Sequence, residues 1–240
     1  MPQEQEDQER EQTVLNKSHL CDKLYVKGKT MNIGIIGSGN LGSGLGSLWA
    51  KKGHKIIFSY SRNLDKLNAL AADNPGAKTG TPAEAVKNSE VIILSVKWEN
   101  IHDALKAAGP MNGKILIDCT NPVSPDMSSL SIGHTTSGAE EVAKMVTGAR
   151  VVQAFNTLCA DVYHSDSRLF GSRRPTMFYC GDEPQAKSVV FDLINELGLE
   201  PVDAGPLKNA RYIEPLAMLM LQIGYLQGSG TNIAISLIRR

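Results

Sequence analysis

Residues 31–62, MNIGIIGSGNLGSGLGSLWAKKGHKIIFSYSR, leave this chain few folds to choose from. An apolar strand (Ile33 to Ile36) runs into Gly37-Ser38-Gly39-Asn40-Leu41-Gly42, which fills the pattern G-x-G-x-x-G. A helical stretch follows, then a second apolar strand that ends in Ser59-Tyr60-Ser61-Arg62. In this pattern Gly37 permits the tight turn out of the strand, Gly39 lets a pyrophosphate approach the backbone, and Gly42 lets the helix lie close on the sheet. The free N–H groups and dipole of the helix N-terminus then hold the phosphates. Six residues alone are a weak signal. Strand, glycines, helix and second strand in the right order within one βαβ unit are what separates a dinucleotide site from a ligand-free glycine turn.

The end of the second strand refines the ligand. NAD enzymes place an Asp or Glu there to accept from the adenosine ribose hydroxyls. From Lys55 to Asn63 this chain has no acidic residue, and Asp65 comes only after the turn. Ser61, Arg62 and Lys66 stand there instead. A guanidinium pairs with a 2′-phosphate and a serine hydroxyl donates to it, so the pattern favours NADP over NAD. The alternative is a solvated Arg and Lys opening a surface helix.

Composition excludes several classes. Twenty-five basic and 25 acidic side chains balance to zero formal charge, which argues against a nucleic-acid protein driven by phosphate neutralisation. Cys21, Cys119, Cys159 and Cys180 form no C-x-x-C pair and read as reduced thiols of a cytoplasmic protein, neither a disulfide frame nor a zinc site. The opening MPQEQEDQEREQ holds five acidic residues and one basic without apolar periodicity, so residues 1–30 read as a disordered extension. It lacks the apolar core of a secretory signal and is too acidic for a transit peptide. Within it, Val14 to Lys29 also fits a short docked segment.

Beyond the opening unit, strands and helices alternate. Helices are expected over Asp65–Ala72, Pro82–Lys87, Ile101–Ala108 and Ala139–Val146, and strands over Ala77–Thr81, Val91–Val96, Lys114–Asp118 and Val151–Phe155, the last of parallel type. The unbroken apolar run VIILSV suits a parallel strand buried on both faces. This rhythm predicts an α/β fold, a doubly wound (Rossmann) parallel sheet over residues 31–155. Residues 156–240 are expected to form a small α+β part for substrate or dimer contacts. It contains strand Thr176–Cys180, helix Pro184–Leu197, strand Glu200–Asp203 and an apolar helix Ala210–Tyr225. Arg211, Glu214 and Gln222 interrupt that helix, whose apolar run falls short of the ~20 residues of a membrane span. It reads as a buried helix closing a cleft or a dimer interface.

Several stretches now point to one family: IGIIGSGNLGSGL, SRNLDK, LSVKWENI, Thr136-Ser137-Gly138-Ala139-Glu140, VVQAFNTL, YCGDEPQAK and VDAGPLKNARYIEPL. In them the chain resembles the NADPH-dependent oxidoreductases of 8-hydroxy-5-deazaflavin (coenzyme F420), which share their first domain with pyrroline-5-carboxylate reductases. The element DAGPL-x-N-x-R-x-x-E (Asp203 to Glu214) discriminates better than the glycine loop, because most Rossmann enzymes lack it. The resemblance implies a homodimer with the deazaflavin in the cleft between its two parts. It implies NADP contacts at Ser38, Asn40 and Leu41, with Ser61, Arg62 and Lys66 on the 2′-phosphate. Val96, Lys97 and Trp98 would line the path from adenosine to nicotinamide. Asn121 and Pro122 follow the fifth strand, and Asn156, Thr157 and Leu158 follow the sixth, beside the reacting rings. The family's archaeal members carry Pro before that Trp and His before that Thr, where this chain has Lys97 and Asn156.

Hydride exchange between nicotinamide and deazaflavin is chiefly a matter of proximity and orientation. No catalytic residue is assigned and no metal ligands are expected: His54, His102, His134 and His164 form no ligand spacing, and Cys159 has no His beside it. Trp98, Met218 and Met220 read as core or as a lining for a flat acceptor. Three functions stay open: hydride exchange with F420 or a flavin-like acceptor, reduction of a small imine, carbonyl or ferric chelate, and a non-catalytic NADP sensor. A carbonyl or imine substrate would need a proton donor, for which Lys97 or Tyr212 are candidates. If the 2′-phosphate assignment is right, Arg62→Ala weakens NADPH binding by about 1.5–3 kcal/mol and spares NADH in calorimetric titration. Equal losses for the two cofactors would refute it.

Overall fold

The computed structural model describes residues 29–240, so the expected disordered extension and Cys21 lie outside the described residues apart from Lys29 and Thr30. Residues 31–240 form one unit built on an eight-stranded sheet of order β3-β2-β1-β4-β5-β6-β7-β8. The strands are β1 (Asn32–Ile36), β2 (Lys55–Ser59), β3 (Lys78–Thr79), β4 (Val91–Leu94), β5 (Ile115–Asp118), β6 (Arg150–Gln153), β7 (Thr176–Gly181) and β8 (Glu200–Asp203). The first six are parallel; β7 runs antiparallel to β6, and β8 parallel to β7. The part that follows residue 155 therefore extends the same sheet instead of starting a new one.

Alternation along each strand divides the core in two. Ile33, Ile35, Phe58, Ile93, Ile117 and Val152 face one side, against α1 (Asn40–Lys52), α2 (Leu64–Ala72) and α6 (Pro184–Glu196). Ile36, Ile92, Leu94, Leu116 and Val151 face the other, against α3 (Pro82–Lys87), α4 (Ile101–Ala108), α5 (Gly138–Met145) and α7 (Ala210–Leu221). Trp49 on α1 locks the first layer. It is fully buried, donates its indole N–H to the Leu193 carbonyl at 3.2 Å, and meets Phe155 edge-on at 5.5 Å.

Local chemistry sets the element ends. Asn63 caps α2, and Thr81 with Glu84 forms a reciprocal capping box on α3 behind Pro82. Strand β4 stops at Leu94, two residues before the expected end; Ser95 makes one more backbone bond, its N–H on the Ile36 carbonyl at 2.9 Å, and turns its hydroxyl onto the Gly37 carbonyl at 2.7 Å. The last apolar helix is α-helical only to Leu221 and continues as a π-turn over Gln222–Leu226. Buried on one face through Ala210, Ile213, Ala217 and Met220, it leaves Tyr212 and Leu219 exposed on the other.

The DAGPL-x-N-x-R-x-x-E element is the docking device of α7. Asp203 accepts from the Gly205 N–H and pairs with Lys187 at 2.7 Å, and the Asn209 amide returns to the Ala204 carbonyl. Arg211 grips Glu140 with two nitrogens at 2.7 and 2.8 Å. Glu214, 1% exposed, accepts from the Gly138 and Ala139 N–H groups at 2.9 and 3.0 Å and from the Gln153 amide at 2.8 Å. A carboxylate on the otherwise unpaired N–H groups of a helix start is the arrangement the helix dipole favours. Glu214→Ala strands those three buried donors, and thermal unfolding should show a loss of at least about 3 kcal/mol. A loss below about 1 kcal/mol would show that water replaces the carboxylate.

Candidate functional site

The carboxyl ends of β1, β2, β4, β5 and β6 converge, and the chain leaves each of them in a constrained turn. Gly37 sits at φ 102°, where its missing side chain matters twice: a Cβ there would lie 2.5 Å from the Ser95 carbonyl oxygen. Gly42 has the same close approach one turn later, with a hypothetical Cβ 2.1 Å from the Gly37 carbonyl oxygen and 2.5 Å from Ser95 Oγ. Gly39 differs: nothing among the described residues lies within 4 Å of where its Cβ would be. Protein packing explains Gly37 and Gly42, whereas the open space at Gly39 is a cradle a Cβ would begin to fill. Helix α1 has Gly39 as its N-cap and no side-chain cap among the described residues, so its first N–H groups are left for an anion, and the residues present fit a pyrophosphate.

The remaining loop residues divide. Ser38 is buried with its hydroxyl on the Ser59 carbonyl at 3.0 Å, which ties β1 to β2 and leaves its backbone N–H for the ligand side. Asn40 is exposed, and its carbonyl receives His164 Nε2 at 2.7 Å. Leu41 packs against the first core layer. At the end of β2, Tyr60 adopts φ 55°, a rare value for a bulky residue that turns the chain sharply before Ser61. Ser61 hydrogen-bonds within the turn, to the Asn63 carbonyl and N–H. Arg62 and Lys66 are exposed on the same turn and make no side-chain hydrogen bond among the described residues. Both are available to a phosphate.

On the other side of the cleft, Val96 and Trp98 pack on the second core layer while Lys97 between them is exposed. Trp98 begins a short 3-10 turn, Trp98–Asn100. A Cβ on Gly138 would lie 3.1 Å from Trp98 Cζ3, 3.1 Å from Pro122 Cδ and 3.2 Å from Glu214 Oε1, so these groups meet at one point. Asn121 and Asn156 clasp each other: the Asn156 amide donates to Asn121 Oδ1 and the Asn121 amide to the Asn156 carbonyl, both at 2.9 Å. Phe155, buried, holds φ 63° and donates its N–H to Met177 Sδ at 3.1 Å; Thr157 donates to the same sulfur at 3.9 Å. Leu158 is buried beside them. The backbone outliers at Tyr60 and Phe155 both fall where strands deliver residues to this cleft.

Several groups were not anticipated. Ser95 fastens the glycine loop to β4, and Met177 seats the Phe155–Thr157 turn. Asp118 at the end of β5 is buried and organises the following turn through the Thr120 N–H and hydroxyl, at 3.0 and 2.7 Å. Burial raises its carboxyl to about 7 against the lowering effect of those two hydrogen bonds. Burial also raises Glu214, and it raises the thiols of Cys119, Cys159 and Cys180, the last to about 12, so Cys159 is a protonated thiol and a poor nucleophile. Only Glu214, a lone acid in an apolar helix, carried a signal in the sequence. A cavity of about 680 Å³ lined by His102, Lys106, Asn112 and Met145 lies at the other end of the sheet, where α4 and α5 terminate. It has no share in the cleft.

Residues 32–122 match the family model of the coenzyme F420-dependent NADP oxidoreductases. The F420-dependent NADP reductase of Methanocaldococcus jannaschii is 29% identical over 223 residues, covering 86% of this chain and 98% of the archaeal protein. The metalloreductase STEAP3 of Rattus norvegicus is 30% identical over 189 residues, 79% of this chain, which spans only 37% of the rat protein. A solved structure from Arthrobacter sp. FB24, provisionally designated an F420-dependent NADP-reductase, superposes with a TM-score of 0.78 at 23% identity over 87% of this chain and all of that one. That likeness shows the shared fold. The glycine cradle, the acid-free end of β2 and these relatives agree: residues 32–122 carry a stretch that matches the coenzyme F420-dependent NADP oxidoreductases, the chain is similar to F420-dependent NADP reductases over most of its length, and it is an NADP-dependent oxidoreductase.

Proposed function

We propose that the protein passes a hydride between NADP(H) and a deazaflavin of the coenzyme F420 type or a flavin-like acceptor. NADP(H), when bound, supplies the hydride at its nicotinamide ring. The chain's own part is to hold two flat rings in contact. In this reading the Gly37–Gly42 loop and the start of α1 bind the pyrophosphate, with Ser38, Asn40 and Leu41 along it. Ser61, Arg62 and Lys66 take the 2′-phosphate. Val96, Lys97 and Trp98 line the path to the nicotinamide, and Asn121, Pro122, Asn156, Thr157 and Leu158 border the reacting rings. The carrying observation is the cleft's chemistry where Trp98, Pro122 and the Asn121–Asn156 clasp meet. The polar side chains of the two loops that border it, Asn121, Asn156 and Thr157, are amides and a hydroxyl, which orient a ligand without exchanging protons with it, and the Glu214 carboxylate beside them is held by three N–H donors.

A ferric chelate is the second reading, favoured by the identity to the rat metalloreductase. Purified full-length protein, NADPH and one acceptor at a time separate the two by loss of NADPH absorbance. Turnover is expected with F420 and not with a small imine. Reduction of ferric chelate alone would establish the second reading, and imine reduction alone would overturn both.

The same reading includes a cytoplasmic location, where Cys119, Cys159 and Cys180 stay reduced, and a homodimer. Among the described residues no helix is long and apolar enough to cross a membrane. The exposed stripe Tyr212, Leu219, Tyr225 and Leu226 on α7 and its π-turn is the surface a second copy would cover. Light scattering should report a dimer for the wild type and a monomer for Leu219→Glu. A monomeric wild type at micromolar concentration would remove the dimer from the account.

A further inference from the structure

We infer that Asp118 is held as the neutral acid, its Oδ2–H donating to Gln153 Oε1, so that the buried chain Asp118–Gln153–Glu214 carries one charge, on Glu214. Asp118 is then a positioning residue for the Asn121–Pro122 turn, an inference that rests on the cleft assigned above. Asp118 and Gln153 are opposite one another in the β5–β6 register, and both are fully buried. Asp118 Oδ1 is satisfied by Thr120, but among the described residues Oδ2 has no partner. The Gln153 amide nitrogen must face the Glu214 carboxylate, 2.8 Å away, which turns its Oε1 elsewhere, and that oxygen has no partner among the described residues either. Two neighbouring acceptors each lack a donor, and one proton on Asp118 satisfies both. The charge stays on Glu214, which has three N–H donors and the start of α5 to hold it.

The other ionisable groups around the chain leave this balance intact. Burial keeps the Cys119 and Cys180 thiols protonated. Glu140 is paired with Arg211, and Lys187 with Asp203. Asp182 accepts from the Leu207 N–H. No cation among these is directed at Asp118. With its carboxyl raised to about 7 by burial, folded Asp118 keeps a proton that the unfolded chain releases near pH ~4. The folded state then binds the extra proton between those values, so stability falls as pH rises through that window and is level above it.

Asp118→Asn imitates the neutral acid: its amide donates to Gln153 and its oxygen accepts from Thr120. Asp118→Ala does neither. The full chain is studied by infrared spectroscopy, by thermal unfolding against pH, and by its KM for F420. Below about pH 7 the wild type should show the carbonyl stretch of a buried protonated carboxyl, absent in D118N. The D118N-minus-wild-type difference in unfolding midpoint should climb from about pH 4 to about 7 and then level off. The wild-type KM for F420 should rise at least threefold above pH 7, flat in D118N and uniformly raised in D118A. A wild type without the protonated-carboxyl band, or a pH-independent D118N difference, overturns the inference. If F420 is not a substrate, the functional reading fails while the infrared and unfolding arms still decide this one. If D118N does not fold, the infrared titration of the wild type alone decides.

Discussion

The approach of α1 to β1 is the contact on which everything else depends. Gly42 lies so close to the Gly37 carbonyl that a methyl group there would overlap it, and Ser95 reaches across from β4 to hold that same carbonyl. This three-way closure aims the start of α1 along the carboxyl edge of the sheet. Loop, α1 and β4 are thereby one rigid piece. Gly39, the one glycine of the three whose missing side chain no packing among the described residues uses, is the position the proposed function gives to the ligand.

A second closure faces it across the cleft. Glu214 and Arg211 pin α7 to the start of α5, and Glu214 reaches through Gln153 to β6, beside Asp118 at the end of β5. The loops carrying Asn121 and Asn156 spring from these two strand ends and are clasped to each other. The cleft therefore has one wall built by backbone proximity and another by a buried polar chain. Such chains are sensitive to the removal of any member, because each orphaned group keeps its full desolvation cost.

Most of the fold could be read from the chain because its causes are local. Strand alternation, the caps at Asn63 and Thr81 and the apolar run of β4 each act over a few residues. The reversal of β7 against β6 could not, since strand direction is set by where the long 154–175 connection returns the chain. Likewise the glycine loop and the Ser61–Lys66 turn were visible as motifs. Ser95, Met177 and the Asp118–Gln153 pairing were not, because each acts through a partner 20 or more positions away. The DAGPL element was visible as a pattern, but its role in docking α7 became clear only once Glu140 and Gly138 were found beneath it.

Gly39→Ala tests the central claim most directly. A methyl group there meets nothing within 4 Å among the described residues, and Ala tolerates the extended backbone at this N-cap position, φ −76°, so folding loses about 1 kcal/mol. Calorimetric titration of wild type and variant with NADPH, alongside their unfolding midpoints, isolates the ligand's side of the contact. The account predicts a midpoint lowered by no more than this cap effect and at least a tenfold loss of NADPH affinity. Unchanged affinity in a well-folded variant would mean that the phosphates lie elsewhere, and the cleft described here would lose its cofactor.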